Sequence, residues 1–381
     1  MTVASPPLDV LIEVNSADLR IGAVNDALDL AELAGPAGVR FTICGTLTDE
    51  LRREAARRGA RTLARRSRPF SRSGLPLYAI DVLRWTATLL RERPDVVHLN
   101  YAGWGPSLAC AARLCGIPVV ARAGPYLARN PSNRWIDAHI GNCQAHVASL
   151  CESPLASRAV VAGDLFRPDR VRATSVLERP LPPKRGVRAV FLGQVVERKG
   201  LHVLVEALAR METPCELLAV GGDWNAAGYA AHVRELAREA GVLAHVHFEN
   251  HRQDIGAVLA TADIFVLPSL GDARPRSIIE AMSLGIPVVA SEVGGIPSLV
   301  VHEETGLLVP PGDPVRLASA LQRLSDSAAL RRRMAAAGRA RAEAECRPDR
   351  TALAYAAVYR RLSAPAGHAP QRDRAVARVR S

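Results

Sequence analysis

Short apolar runs alternate with helical patterns along almost the whole chain, and the series occurs twice. In the first half, Leu8–Val14, Val39–Cys44, Asp95–Leu99, Ile117–Ala121 and Ala159–Ala162 read as strands. Helical stretches such as Ile21–Ala34, Tyr78–Arg91 and Pro106–Leu114 lie between them. In the second half the strands are Arg188–Leu192, Glu216–Val220, His245–Phe248, Asp263–Leu267, Pro287–Ala290 and Gly306–Val309. Near-continuous apolar strands separated by helices imply parallel sheets covered on both faces. The expected class is therefore α/β, with two Rossmann-like, doubly wound parallel-sheet domains. Three prolines in Arg179-Pro-Leu-Pro-Pro-Lys-Arg185 deny helix and mark a break. The expected boundaries are a first domain over 1–178, a linker over 179–186 and a second domain over 187–348. A helix over 349–362 is expected to pack back on the first domain, and the tail 363–381, rich in Ala, Pro and Arg, to be disordered.

Composition agrees with two domains. A chain of 381 residues is long for one core, and 48% hydrophobic residues can fill two. Aromatics are only 4%, so packing rests on Val, Leu, Ile and Ala. The seven cysteines are odd in number and lack C-x-x-C spacing, which suits free thiols in a reducing cytoplasm. The first residues have neither the basic start nor the apolar core of a signal peptide, and no apolar run approaches the ~20 residues of a membrane span. Membrane contact would be peripheral.

The net charge of +11 is unevenly spread. Arg52, Arg53, Arg57, Arg58, Arg61, Arg65, Arg66, Arg68 and Arg72 crowd one stretch. Such a cluster suits phosphates or an anionic membrane surface, and a plain solvated face accounts for it equally well. Nucleic acid is disfavoured, because no aromatics are interleaved with the arginines.

In open α/β sheets, ligands bind outside the carboxyl ends of the strands. Two such domains facing a central cleft would each offer one wall, and one substrate per wall is the natural division. The most informative strand end is Pro268-Ser-Leu-Gly-Asp-Ala-Arg-Pro-Arg-Ser-Ile-Ile-Glu-Ala-Met282. It leads from an apolar strand into a helix expected to open on Ser277, and carries Asp272 in the loop and Glu280 near the helix start. Free N–H groups at a helix start take anions, and flanking carboxylates hold hydroxyls. A ligand anionic in the middle and rich in hydroxyls at both ends is a nucleotide sugar. Ser277-Ile-Ile-Glu280 also fits a capping box, and the two roles are compatible.

Phe191-Leu-Gly-Gln-Val-Val-Glu-Arg-Lys-Gly200 is a second strand end. Gly193 permits close backbone approach, and Lys199 supplies a cation suited to a diphosphate. A glycine turn with surface cations is the plain alternative. The segment is neither a Walker loop nor a Gly-x-Gly-x-x-Gly fingerprint. Gly221 lies in a further strand-end turn, where a plain turn is the simpler account. His251 follows another strand, and Asp254 can cap the next helix. His245, His247 and His251 lack a carboxylate to complete a set, so no metal is expected. In the first domain, the loops holding Gly22, Asn100, Tyr101 and Arg122 end strands on the opposite wall.

In this order the motifs resemble those of the GT-B fold, family 4 retaining glycosyltransferases. The match covers nearly the whole chain and is sharper in its second half, through Gly285–Pro297 and Gly306-Leu-Leu-Val-Pro-Pro-Gly-Asp313. The resemblance implies a donor site for a nucleotide diphosphate sugar (UDP-, GDP- or similar), with no cofactor and no metal. The family's paired acids, with seven residues between them, fall on Asp272 and Glu280. Glu280 would hold the donor ribose, and Asp272, an aspartate where the family has glutamate, would face the donor sugar. Arg276, Ser277 and Ile278 would present backbone N–H groups to the diphosphate, and Lys199 would clamp it.

Two positions depart from the family. Gln194 stands where an arginine is usual, with Arg198 as a partial substitute. Ala123 stands where the family often has histidine. The implied reaction is glycosyl transfer with retention to an acceptor hydroxyl of a cell-envelope glycan, glycolipid or natural product. The setting would be cytoplasmic, with the arginine cluster Arg52–Arg72 available to an acidic membrane. A GT-B sugar-nucleotide epimerase and a non-catalytic sugar- or lipid-binding partner are the alternatives that the two departures keep open.

Overall fold

A computed structural model describes residues 6–14, 16–19, 22–67, 75–100, 106–122, 135–143, 158–167, 171, 176–222 and 228–364. The chain divides into two compact units. The first comprises Met1–Gly141, Ser149–Ala162 and Asp349–Ser381, and the second Asn142–Ala148 and Gly163–Pro348.

The first unit runs β1 (Leu8–Val14), α1 (Gly22–Ala34), β2 (Val39–Gly45), α2 (Asp49–Arg57), β3 (Arg61–Ala64), α3 (Leu75–Glu92), β4 (Val96–Leu99), α4 (Pro106–Leu114), β5 (Val119–Arg122), β6 (Ala138–Gly141) and β7 (Ala159–Val161). These strands form one parallel sheet in the order β3-β2-β1-β4-β5-β6-β7. The second unit holds β8 (Arg188–Leu192), α5 (Leu201–Leu208), β9 (Glu216–Val220), α6 (Tyr229–Glu239), β10 (Val246–Glu249), α7 (Ile255–Leu259), β11 (Ile264–Leu267), α8 (Arg276–Ser283), β12 (Val288–Ser291), β13 (Gly306–Val309), α9 (Pro314–Asp326) and α10 (Ala328–Glu345). Its parallel sheet runs β10-β9-β8-β11-β12-β13. The expected pair of doubly wound α/β sheets is present.

Both sheets start at an inner strand and wind outward in both directions. The strand order therefore reverses between β1 and β4, and again between β8 and β11. At such a switch point the loops leaving neighbouring strands diverge to opposite faces and leave a crevice at the strand ends. The motifs singled out in the second half follow β8 and β11.

Three features differ from the sequence expectation. Strands β3 and β6 lie between the expected ones. The proline run lies within the second unit, and of the chain's passages between units the one that precedes the run is at Ala162–Gly163. Hydrogen bonds hold the run on its own unit: Arg188 Nη2 donates to the Pro182 carbonyl at 2.7 Å, and Arg179 Nη2 to Glu249 at 3.0 Å. A proline-rich segment is extended, and extension does not make it a hinge. The third difference concerns Asp254, which precedes α7 but does not cap it with its side chain. Its carboxylate instead accepts from the buried Arg252 at 2.9 and 2.6 Å and from the Glu178 amide at 2.7 Å.

The last helix, α11 (Pro348–Ser363), belongs to the first unit. Tyr359 is fully buried, and its hydroxyl shares a 2.8 Å hydrogen bond with His98 Nδ1 on β4. Burial, reinforced by Arg122, lowers the His98 pKa to about 3, so this ring is neutral at physiological pH. Tail residues 365–381 lie outside the described residues.

Candidate active site

The second unit's crevice is assembled by glycines from two sides. Gly200, in the left-handed region at φ 71°, lies so near the β11 loop that a Cβ there would stand 1.9 Å from the Pro268 carbonyl oxygen. From the other side, Cβ atoms at Gly294 and Gly295 would stand 1.8 Å from the Asp272 oxygen and 2.0 Å from the Ala273 oxygen. Backbone therefore packs on backbone, and the loop from Pro268 to Pro275 is gripped between the segment after β8 and the segment after β12.

Within that grip Asp272 is fixed by four groups. Lys199 Nζ lies 2.5 Å from Oδ2, and Ser269 Oγ donates to the same oxygen at 3.2 Å. The Ala273 amide donates to Oδ1 at 3.0 Å, and an Arg198 nitrogen stands 3.7 Å from it. The side chains of Lys199 and Asp272 are each about nine-tenths buried. A lysine and an aspartate far apart in sequence thus form one unit. Arg198, half exposed, is tethered by a 2.7 Å hydrogen bond from Nη1 to the Gly271 carbonyl.

The helix that follows begins one residue earlier than expected. Its first residue is Arg276, and its N-cap is Pro275, which makes no side-chain cap. Ser277 is thus the second helical residue, and the capping box does not form. Proline at the cap fixes an extended entry, and its side chain cannot accept from the first N–H groups. Of the residues expected to present N–H groups to a diphosphate, Ile278 bonds back to the Pro275 carbonyl at 3.3 Å. Arg276 and Ser277 occupy the first turn. Glu280 lies one turn in, four residues after Arg276 and on the same face. Burial raises the Glu280 pKa, and the Arg276 guanidinium partly offsets this. That guanidinium stands 6.0 Å from the Phe166 ring.

The remaining donor-side candidates stand at neighbouring strand ends. A Cβ at Gly193 would meet only ordinary contacts, 3.8 Å to both the Lys199 side chain and Phe191. Among the described residues no atom therefore demands glycine there. At Gly221 a Cβ would fall 1.8 Å from the Gly193 oxygen. That glycine is required by the neighbouring strand end, whether or not a ligand comes near. His251 is half-buried in the loop after β10.

In the first unit, Gly22 starts α1, and Asn100 donates from Nδ2 to the Ala23 carbonyl at 2.5 Å. Arg122 forms an ion pair with Asp26 on the same helix. The two side chains, expected on an acceptor wall, hold α1 against the strand ends. Tyr101, Ala123 and Gly124 lie outside the described residues.

Sequence inspection passed over Arg274. Its Nε donates to Asp164 at 2.5 Å and its Nη1 to Ser298 at 2.5 Å, and Glu345 lies 3.6 Å away. Asp164 also accepts from Asn142 at 2.8 Å. This arginine ties the middle of the Asp272 loop to segments distant in sequence. Its place between two proline-bounded motifs was the only signal, and it did not identify the partners.

The match to known families also falls in two parts, which meet just after the proline run rather than at Ala162–Gly163. Residues 186–327 match the model of the Glycosyl transferases group 1 family, and residues 22–190 that of the Glycosyl transferase 4-like domain. The chain belongs to the glycosyltransferase families of the GT-B fold, group 1 (family 4) type. It is 34% identical over 182 residues to the D-inositol 3-phosphate glycosyltransferase of Corynebacterium diphtheriae, covering 46% of this chain and 43% of that one. It thus spans less than half the length of that relative. With the lipopolysaccharide core biosynthesis glycosyltransferase LpsE of Rhizobium meliloti it shares 28% identity over 249 residues, 65% of this chain and 70% of the relative. The fold matches Anabaena Alr3699/HepE, crystallised with UDP and glucose, at a TM-score of 0.73 and 19% identity, over 92% of this chain and 99% of that one.

Proposed function

We propose that this chain transfers a sugar from a nucleotide diphosphate sugar to an acceptor hydroxyl, with retention of anomeric configuration. The observation that carries the reading is the Lys199–Asp272 pair held at 2.5 Å at the switch point of the second sheet, beside the start of α8. The bond that breaks joins the anomeric carbon to a diphosphate oxygen, and the departing nucleoside diphosphate gains negative charge. Lys199 and the first N–H groups of α8 are the fixed positive elements that stabilise it. Asp272 takes donor sugar hydroxyls and Glu280 the ribose. Gly193, where a Cβ meets no obstacle, leaves the backbone open to the nucleotide. The relatives named as glycosyltransferases, and the UDP and glucose bound by the Anabaena protein, support this donor class.

The first unit recognises the acceptor in this reading, through strand ends near Gly22, Asn100, Tyr101 and Arg122. Acceptors of the cell-envelope or glycolipid kind suit the arginine cluster, and a peripheral place on the cytoplasmic face of a membrane follows from it. A screen of nucleotide sugars for consumption by mass spectrometry, beside titration with UDP, GDP and ADP, tests the proposal. Lys199→Ala and Glu280→Ala should each lower donor turnover by about a hundredfold or more while both variants still unfold cooperatively, Lys199→Ala at a lower midpoint because it removes one side of a buried ion pair. Near-normal turnover in both variants, or no binding of any nucleotide by the wild type, overturns it.

A further inference from the structure

Helix α3 (Leu75–Glu92) is apolar on two opposite sides. One side supplies Val82, Trp85 and Leu89 to the core beneath the first sheet. The other presents Ile80, Leu83, Ala87 and Leu90, spaced three or four residues apart and therefore on one stripe. This outer stripe is bare: Leu83 is 68% exposed, Leu90 61% and Ile80 44%. Leu75 and Leu77, at the helix start and to either side of the stripe, are also exposed, at 57% and 53%. A helix apolar all round is ordinarily buried all round, so the outer stripe calls for a cover.

The charge beside the stripe is predominantly positive. Arg84 and Arg91 lie along one flank of it on α3 itself. Next to that flank runs the edge strand β3, whose Arg61 bonds Glu92 at 3.3 Å. Just past β3, Arg65 lies over the Trp85 ring at 5.1 Å and donates to Thr88 at 2.7 Å. The acids within α3 offset these four arginines only in part. Asp81 is buried and accepts from Ser107 at 2.6 Å, and Glu92 is engaged by Arg61 and Arg91. No helix among the described residues is long and apolar enough to cross a membrane.

We infer that this face of α3, with its arginine flank, docks on an anionic lipid bilayer. A helix lying in the interface buries an apolar stripe among acyl chains while its basic residues meet lipid phosphates. That combination is what α3 and β3 present. A second copy packed antiparallel on this stripe would set arginines against arginines, and in the parallel arrangement α3 offers them no acid that is not already engaged, so self-association fits the charges poorly. The inference deepens the peripheral placement proposed above by naming the surface. It does not depend on the chemistry assigned to the second unit.

Co-sedimentation of the full chain with vesicles tests it, using phosphatidylcholine alone and phosphatidylcholine mixed with phosphatidylglycerol. Wild type should bind the mixed vesicles at low salt, release them at high salt and ignore the neutral ones. Leu83→Gln with Leu90→Gln, and separately Arg84→Gln with Arg91→Gln, should each weaken binding about tenfold or more. Their UDP affinity and melting curves should be unchanged, since the altered side chains are on the surface. No wild-type binding, or variants that bind as wild type does, overturns the inference. So does a concentration-dependent dimer by light scattering that the leucine variant abolishes. Loss of UDP binding by the wild type would sink the donor reading and leave the docking surface standing.

Discussion

Lys199 and Asp272 illustrate what a single contact adds to a motif. Each residue is legible in sequence as a charge at a strand end. Their pairing is not, because it depends on β8 and β11 being neighbours in the sheet although other strands separate them in sequence. Breaking the pair from the acid side leaves a buried ammonium beside a neutral amide. Asp272→Asn should therefore cost about 2–4 kcal/mol of stability and weaken sugar selectivity more than nucleotide affinity, measurable by denaturant unfolding and by comparing UDP with UDP-sugar binding. A second residue-scale prediction concerns Glu13, at the end of β1. It is buried and accepts from the Ser67 amide at 2.8 Å, and burial raises its pKa from 4.5 to about 7. The folded state thus holds this proton more tightly than the unfolded chain does. Its contribution is complete below pH 4.5 and is lost as pH rises through about 7. Glu13→Gln should flatten that decline, worth on the order of 2–3 kcal/mol, in melting curves taken at pH 5 and pH 8.

At the scale of elements, sequence periodicity served best where strands are apolar and buried. Most expected strands agree with the observed ones within a residue or two. β3 escaped because it lies within the arginine-rich stretch that reads as a solvated face, and an edge strand needs apolar character on only part of its surface. β6 escaped because Ala-His-Ile-Gly is short and its histidine breaks the apolar run. The capping box misled for a different reason: Pro275 sets an extended entry, and the helix starts directly after it, which displaces Ser277 from the cap. The glycine pair after β12 was visible as a motif, but its mechanical purpose was not. Gly294 combines a φ of 56° with a Cβ position inside the Asp272 carbonyl. Gly294→Ala should therefore destabilise by about 2 kcal/mol or more and loosen nucleotide binding together with it. Denaturant unfolding and UDP titration of the variant check both expectations.

For the whole molecule, the two parallel sheets were evident from alternation alone, whereas the passage between units was not. Proline content drew attention to residues 179–186, but hydrogen bonds, not composition, decide which unit a segment joins. The return of α11 to the first unit was legible as a late helical pattern, and its anchor became visible only with His98 placed on β4. Among the described residues Nε2 of that histidine has no hydrogen-bond partner, and the Tyr359 hydroxyl is the one bond its ring makes. Tyr359→Phe should lower stability by about 1–3 kcal/mol, seen as earlier melting with UDP affinity retained.

That same helix gives the chain an order of assembly. During synthesis the first sheet emerges early, yet the helix that covers Phe41 and His98 leaves the ribosome only after the whole second unit. The second unit has all its strands and helices available before then. The donor-side unit can therefore complete itself while the earlier-made unit still waits with an apolar flank uncovered, and shielding that flank is a task for whatever meets the nascent chain.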